Sequence, residues 1–337
     1  MNDLALPSRF NEAATRAAEL FAKIQSFDDV KRYLFDGSGL SAGTYQTYMV
    51  AVRQLYDFSG GLNPLQVTAA EIEAFFDDCV TRRGVDRNTA INKIAALKRF
   101  YANIEDRLPG FPSPFRGMAP ALIKKLSAKA PTQLQRALSA TETRALLAEL
   151  AAGATPKAKA DYSTVFFLVV SGLRAAELSR LTFADLDKDP DTGIWTATGV
   201  GKGAKPFRQE IADPRAVEAA REAFRATYRR EPSPSDRVFF ALPRYHGDTP
   251  RPMTPHGLWE RVQAILATAK DQGILSRDYK VGPHLFRRTC GTLLSLNGMD
   301  LVSVSRFLRH ASPSTTAKHY ICDHTPASPV MNKILAL

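Results

Sequence analysis

Residues Gly282 to Tyr320 read GPHLFRRTCGTLLSLNGMDLVSVSRFLRHASPSTTAKHY, the stretch around which the rest of the chain is organised. Pro283 and His284 open a helix, because a proline in the first turn gives up no needed hydrogen bond. Phe286, Cys290, Leu293 and Leu294 recur at helical spacing and make one buried stripe. At about 100° per residue, His284, Arg287 and Gly291 fall together on a neighbouring face. The spacing thus predicts an imidazole and a guanidinium side by side at the edge of the core. Gly291 beside them offers no side chain to keep a ligand away. Asn297-Gly298 ends this helix, and Asp300 caps the next, whose apolar positions are Leu301, Val304, Phe307 and Leu308. That second helix is expected to stop at His310. A Ser/Pro/Thr segment follows, then a further helical turn carrying Tyr320.

A chain of 337 residues has room for two ordinary domains. Its 45% apolar and 23% charged content is that of a soluble globular protein. The net charge of +11 and the isoelectric point near 9.6 point to a polyanionic partner. The excess is uneven. Residues 1–125 hold 16 Lys and Arg against 14 Asp and Glu, leaving +2, whereas residues 126–337 hold 29 against 20, leaving +9. Cys79, Cys290 and Cys322 form no CxxC pair, so neither a disulfide framework nor a zinc site is expected, and a reducing cytoplasm is the natural compartment. The N-terminus has an early Asp, a Pro and no sustained apolar run, unlike a signal peptide. Val165 to Val170, the longest purely apolar run of the C-terminal half, is far too short to span a membrane.

The first part of the chain reads as helices. Residues 11–35 form one; from Thr44 to Phe58 a second places Tyr45, Met49, Val52 and Tyr56 on one face, leaving Thr47 and Arg53 polar. Thr68 caps a third, with Glu71 in capping-box register. Asn88 opens a fourth whose Ile91, Ile94, Leu97 and Tyr101 face inward and whose Asn92, Lys93 and Arg99 do not. Spacing alone favours reading those polar faces as a solvated surface; the functional alternative is a module laid against DNA. The breaker-dense segment Pro109 to Pro120 marks a linker, and Lys124, Lys125, Lys129 and Arg136 make the connection basic. The domains expected are therefore 1–125, a basic linker 126–136, and 137–337.

Ser139 or Thr141 starts the second domain. A deeply buried helix then runs into a Ser171-Gly172 break, with a new helix beginning near Arg174, one turn from Glu177. Asp191-Thr192-Gly193 is a turn, IWTATGV a strand, GKGAK a tight loop with Lys202 at its tip, and FRQEIA a second strand. Residues 214–230 make a basic helix, SDRVFFAL a short strand or loop, and residues 254–270 another helix. No internal repeat or low-complexity segment interrupts the chain.

In chain order, Arg174, Lys202, His284, Arg287, His310 and Tyr320 make an interpretable chemical set. A phosphodiester passing through a five-coordinate state gathers negative charge on its non-bridging oxygens, which forked guanidinium bonds can meet. A tyrosine hydroxyl can act as nucleophile if a positive field or a base lowers its pKa of about 10. A departing 5′-oxygen needs a proton, which a lysine or histidine can give. No cluster of carboxylates is in place to hold Mg²⁺, so no metal or other cofactor is expected.

With these residues the chain resembles the tyrosine recombinases of the phage-integrase family, over nearly its whole length. The family's HxxR motif and its Thr-containing helix are matched by His284, Arg287 and Thr289. Its first-arginine motif is matched by Gly172, Arg174 and Glu177, its hairpin lysine by Lys202, its Leu-x-His with two threonines by Leu308, His310, Thr315 and Thr316, and its nucleophile by Tyr320. The resemblance implies a mainly α protein with a small antiparallel β-sheet in the catalytic domain, built as a two-domain clamp on double-stranded DNA. The N-terminal domain would be a SAM-like core-binding module using Thr47, Arg53, Asn92, Lys93, Arg99, Lys124 and Lys125. It further implies a 3′-phosphotyrosyl intermediate, a Holliday junction, and a homo-tetramer on two sites, formed by exchange of C-terminal segments such as Cys322 to Leu337, with accessory DNA-bending proteins as a further partner class. Integration or excision of a mobile element, or resolution of DNA multimers, would be the role, without metal or ATP.

Three departures stand out. Arg309 precedes His310 where the family usually has Gly. Ten residues separate His310 from Tyr320 where nine are commoner, which puts His319 at the commoner position, although no tyrosine other than Tyr320 follows Tyr279. Too little chain precedes the helical module for a separate arm-binding domain, which favours a simpler recombinase. Of the competing readings, an inactive DNA-binding relative would be expected to have lost Arg174, Arg287 or Tyr320. A metal-dependent nuclease would need His284, His310, His319 and His324 as ligands, and a type IB topoisomerase would share the chemistry without the tetramer.

Overall fold

In the computed structural model the residues described are 15, 18–36, 39–108, 110–130, 135–243, 249–310 and 312, with Lys202 described by its backbone alone. The chain forms two compact units, Met1–Thr132 and Gln133–Leu337.

The first unit is all helical. The expected helix over 11–35 is broken at residues 24–26, where Ser26 caps a new turn through Asp29 N–H before the chain widens into a π-helical segment, Val30–Phe35. Helix α1 (Ala42–Phe58) is capped by Ser41 and buries Met49, Ala51, Val52 and Leu55. Helix α2 (Ala69–Asp77) carries the capping box of Thr68 and Glu71. Helix α3 (Arg87–Arg107) starts one residue earlier than expected, because Asp86 and not Asn88 accepts the N–H of Thr89. Asn88 instead exchanges hydrogen bonds with both backbone groups of Ala130.

Residues 109–120 are not the linker. Phe111 and Phe115 lie against Tyr101, with ring centroids 6.4 and 5.9 Å away, and Met118 is buried in the same core. Helix α4 (Pro120–Ser127) follows, with Pro120 in its first turn and Leu126 buried among the core residues of this unit. A boundary at residue 125 would cut this helix; the units part after Thr132, inside the span 126–136.

The second unit surrounds one buried helix. Helix α5 (Ala140–Ala152) begins at a capping box of Ser139 and Glu142. Helix α6 (Pro156–Ser171) is buried on all sides from Ser163 to Val169, as expected for a helix without a polar face. After it come the single turn α7 (Ala175–Leu178) and a three-stranded antiparallel sheet of β1 (Leu186–Lys188), β2 (Trp195–Val200) and β3 (Pro206–Ile211), paired in that order. Strand β1 carries no sequence signal at three residues' length. Helix α8 (Arg215–Tyr228), the short pair β4 (Phe240–Ala241) and β5 (Arg251–Pro252), and helix α9 (Pro255–Asp271) lead to α10 (Pro283–Leu296) and α11 (Leu301–Phe307). Cys79 and Cys290 are buried free thiols, burial pushing Cys290 up to about 12, while Cys322 lies outside the described residues. No helix among the described residues is long and apolar enough to cross a membrane.

Candidate active site

The site is built where α6, α10 and α11 end or begin beside one another. Helix α6 stops at Gly172, whose φ of +58° is left-handed, and a Cβ there would come 2.6 Å from Leu308 Cδ2 and 3.3 Å from Cys290 Sγ. Only glycine fits both demands. The sharp exit places Arg174 at the N-cap of α7, where its backbone N–H donates to Glu177 Oε2 at 3.0 Å and its Nη1 donates to Glu177 Oε1 at 2.9 Å.

Helix α11 ends in carbonyls that have no partner inside the helix, and such groups carry partial negative charge. Two guanidinium groups satisfy them. Arg287 Nη2 donates to the carbonyl of Leu308 and its Nη1 to that of Gly172, while Arg174 Nη2 donates to the carbonyl of Arg309 at 3.1 Å. The two arginines therefore bond adjacent carbonyls of one turn, and Arg287 also holds the turn that presents Arg174. Sequence spacing put Arg287 at the edge of the core; it is buried, 4% exposed, because α6 and the end of α11 cover that face of α10.

Arg174, Arg287, His284 and His310 line one cleft of about 530 Å³, together with Lys280 and Arg288. Among the described residues, no carboxylate lines it. In such a setting a bound phosphate meets positive charge from several directions with little competing negative charge. Glu177, the nearby carboxylate, is 3% exposed. Burial alone would raise its pKa, but hydrogen bonds from Arg309 and from the Arg174 N–H, with the Arg309 charge, hold it below the ordinary value. His284 is exposed and His310 half-buried.

Lys202 sits by its backbone at the turn between β2 and β3. Tyr320, Thr315, Thr316, His319 and His324 lie outside the described residues, so the structure leaves the assignment of the nucleophile and the four-histidine alternative where the sequence put them. Tyr279 is accounted for. Burial and the carboxylate of Glu142, which its hydroxyl meets at 2.7 Å, raise its pKa, the opposite of what a nucleophile needs.

Arg288, Lys280 and Trp259 are among the lining residues that sequence reasoning missed. Arg288 is buried and donates to Gln135 Oε1 at 2.8 Å; its neighbour in the motif, Arg287, drew the attention. Lys280 and Trp259 carry no motif signal. Arg309, noted from the sequence only as a departure, is a further omission.

In the first unit, Thr47, Asn92, Arg99 and Lys124 are exposed, and Lys93 is half-buried. Thr47 donates to its own helix at Gly43 O, and Arg53 pairs with Asp57 at 2.9 Å with its guanidinium over the Phe27 ring. Lys125 is drawn inward by Glu73 and Asp77, each at 2.8 Å. These pairings already engage two of the cations expected to meet DNA.

Comparison with known proteins follows the same outline. Residues 136–325 match the phage integrase family, and residues 25–109 match its N-terminal SAM-like domain. The chain is similar to tyrosine recombinase XerD of Listeria monocytogenes serotype 4b (strain F2365), at 25% identity over 86% of this chain and 91% of that protein. It is also similar to XerD of Caulobacter vibrioides, at 29% identity over 74% of this chain and 75% of that protein. Among solved structures, the XerH site-specific recombinase bound to its palindromic difH substrate shares the fold with a TM-score of 0.66, at 18% identity over 96% of this chain and 88% of that one. The Tn1549 transposon integrase in complex with transposon right end DNA shares it with a TM-score of 0.63, at 16% identity over 95% and 99%.

Proposed function

The chain belongs to the phage integrase family and is a tyrosine recombinase of the Xer/integrase type; from that premise we propose that it cuts and rejoins duplex DNA at a specific site through a 3′-phosphotyrosyl intermediate on Tyr320. The phenol oxygen attacks the scissile phosphorus, the bond from phosphorus to the 5′-oxygen breaks, and one phosphate ester replaces another. Its proton passes to His284, and the departing 5′-oxygen takes a proton from Lys202. The freed 5′-hydroxyl of a partner strand then attacks the tyrosyl ester and regenerates the phenol. Ester exchange conserves the bond, so no ATP is needed.

The observation that carries this reading is the cleft in which two cross-tied arginines and two histidines meet, with no carboxylate among its described lining residues. A guanidinium bears five N–H donors in a rigid fork, suited to the equatorial oxygens of a phosphorane. Fixed positive groups supply there the stabilisation a divalent ion would otherwise provide, so the reaction proceeds without metal. His310 completes the set as a further hydrogen-bond donor to a phosphate oxygen. The first unit supplies sequence-independent grip through Asn92, Arg99 and Lys124 on its exposed face. Recombination by this chemistry takes four protomers on two sites and passes through a Holliday junction.

A nicked suicide duplex traps the covalent intermediate as a slow band on a denaturing gel, in the presence of chelator. Tyr320→Phe should retain duplex binding and lose the band. A band that persists in the variant would reassign the nucleophile, and a wild-type chain that binds its duplex without ever forming the band would be a DNA-binding relative instead.

A further inference from the structure

Arg309 is one of three non-glycine residues with positive φ among the described residues, at +53°. Its place after α11 is where a chain normally turns left-handed with glycine or asparagine. An arginine there is held against its backbone preference, and its side chain contacts account for why. Its Nη2 donates to Glu177 Oε2 at 2.7 Å and its Nε to Gln209 Oε1 at 2.7 Å, while its guanidinium lies 4.3 Å from the centroid of the Phe207 ring. Gln209 is 2% exposed and Glu177 3%.

These contacts join two separate elements. Glu177 belongs to the turn that presents Arg174, whereas Phe207 and Gln209 belong to β3, the second arm of the hairpin whose tip carries Lys202. The hairpin also approaches Glu177 directly: a Cβ on Gly201, next to Lys202, would come 3.1 Å from Glu177 Oε1. Beyond Thr198 and Arg208 the tip is a two-stranded ladder that meets the rest of the unit through Phe207, packed on the core, and through the approach of Gly201 to Glu177. Arg309 adds a forked ion pair at one end and a stacked, hydrogen-bonded grip at the other.

We propose that Arg309 is a positioning residue that fastens the β2–β3 hairpin to the Arg174 turn and so holds Lys202 at the cleft. It takes over, with a long side chain, a place where glycine would contribute only its backbone. Its own carbonyl, which accepts from Arg174, is unaffected by the side chain. The proposal rests on the reading of Lys202 as the proton donor, and its test is arranged so that the two can fail separately.

Arg309→Gly relieves the left-handed backbone and removes only the side chain. Gln209→Leu breaks the hairpin end of the grip while leaving Glu177 paired with both arginines. In the full-length protein, hydrogen exchange of the amides from Gly199 to Phe207 should quicken at least about tenfold in Arg309→Gly and less in Gln209→Leu, with α10 unchanged. Single-turnover cleavage of ordinary DNA should fall at least about tenfold, and most of that loss should vanish when sulfur replaces the bridging 5′-oxygen, since a thiolate leaves without a proton. Unchanged hairpin exchange in both variants overturns the proposal whatever the chemistry does. Equal losses on both substrates, where Lys202→Ala is rescued by sulfur, overturn it as well, by assigning Arg309 to Arg174 alone. If Lys202→Ala is not rescued, the proton-donor reading fails while the exchange measurement still decides whether Arg309 holds the hairpin.

Discussion

Replacing Arg287 with alanine should damage the fold as well as the chemistry, and the two losses can be separated. Arg287 is 4% exposed, and its guanidinium bonds the carbonyls of Gly172 and Leu308, which the alanine variant leaves without that donor. A buried acceptor stripped of its partner costs about 1–3 kcal/mol, so two of them set a loss of about 2–6 kcal/mol. That is a large share of a domain stability of about 5–15 kcal/mol. Both tryptophans of the chain, Trp195 and Trp259, lie in the second unit, so their fluorescence follows the unfolding of that unit alone. With a slope of roughly 2–3 kcal/mol per molar urea, the midpoint should drop by roughly 1–3 M. Below the shifted transition, single-turnover cleavage should still be slower by about 10²–10³-fold, the scale for one lost charge-stabilising donor. Arg287→Lys keeps the charge without the fork and should recover part of the stability and little of the rate. A variant as stable as the wild type would refute the buried bonding, and a rate loss no larger than the affinity loss would make Arg287 an anchor for DNA.

Two further outcomes follow from residues away from the cleft. Glu142 accepts from Ser139, Ser276 and Tyr279; burial would raise its carboxyl, but these bonds bring it from the ordinary 4.5 down to about 2. Its depressed folded value means a contribution fully present above pH 4.5 and lost as pH falls toward 2, so the urea midpoint should decline with acid across that window and Glu142→Gln should flatten the decline. In the first unit, Lys124→Ala should weaken binding to any duplex and lower the salt slope by about one, whereas Lys125→Ala should do less, because its ammonium is already shared by Glu73 and Asp77. Equal effects of the two lysines in salt titrations would show that DNA displaces those carboxylates.

What the sequence made legible is what neighbours within a turn decide. The capping box of Thr68 and Glu71, the cap at Asp300, the break at Gly172 and the pair of Arg174 with Glu177 all close over three or four residues, and each could be read directly. The failures have longer reach. Breaker-rich residues 109–120 resembled a linker because composition reports backbone freedom, not that Phe111 and Phe115 would find Tyr101. A helical wheel put Arg287 beside the apolar stripe, but a wheel shows one helix, and the acceptors that bury this side chain lie 115 and 21 residues away. Lys125 likewise looked exposed until Glu73 and Asp77 were brought beside it. Arg309 sharpens the point, since sequence could mark it as out of place without saying why. Its partners Gln209 and Glu177 are 100 and 132 residues distant, and only their convergence explains an arginine where the backbone asks for glycine. A local rule broken at a cleft, and compensated by contacts from elsewhere in the chain, is where a functional constraint is most plainly written.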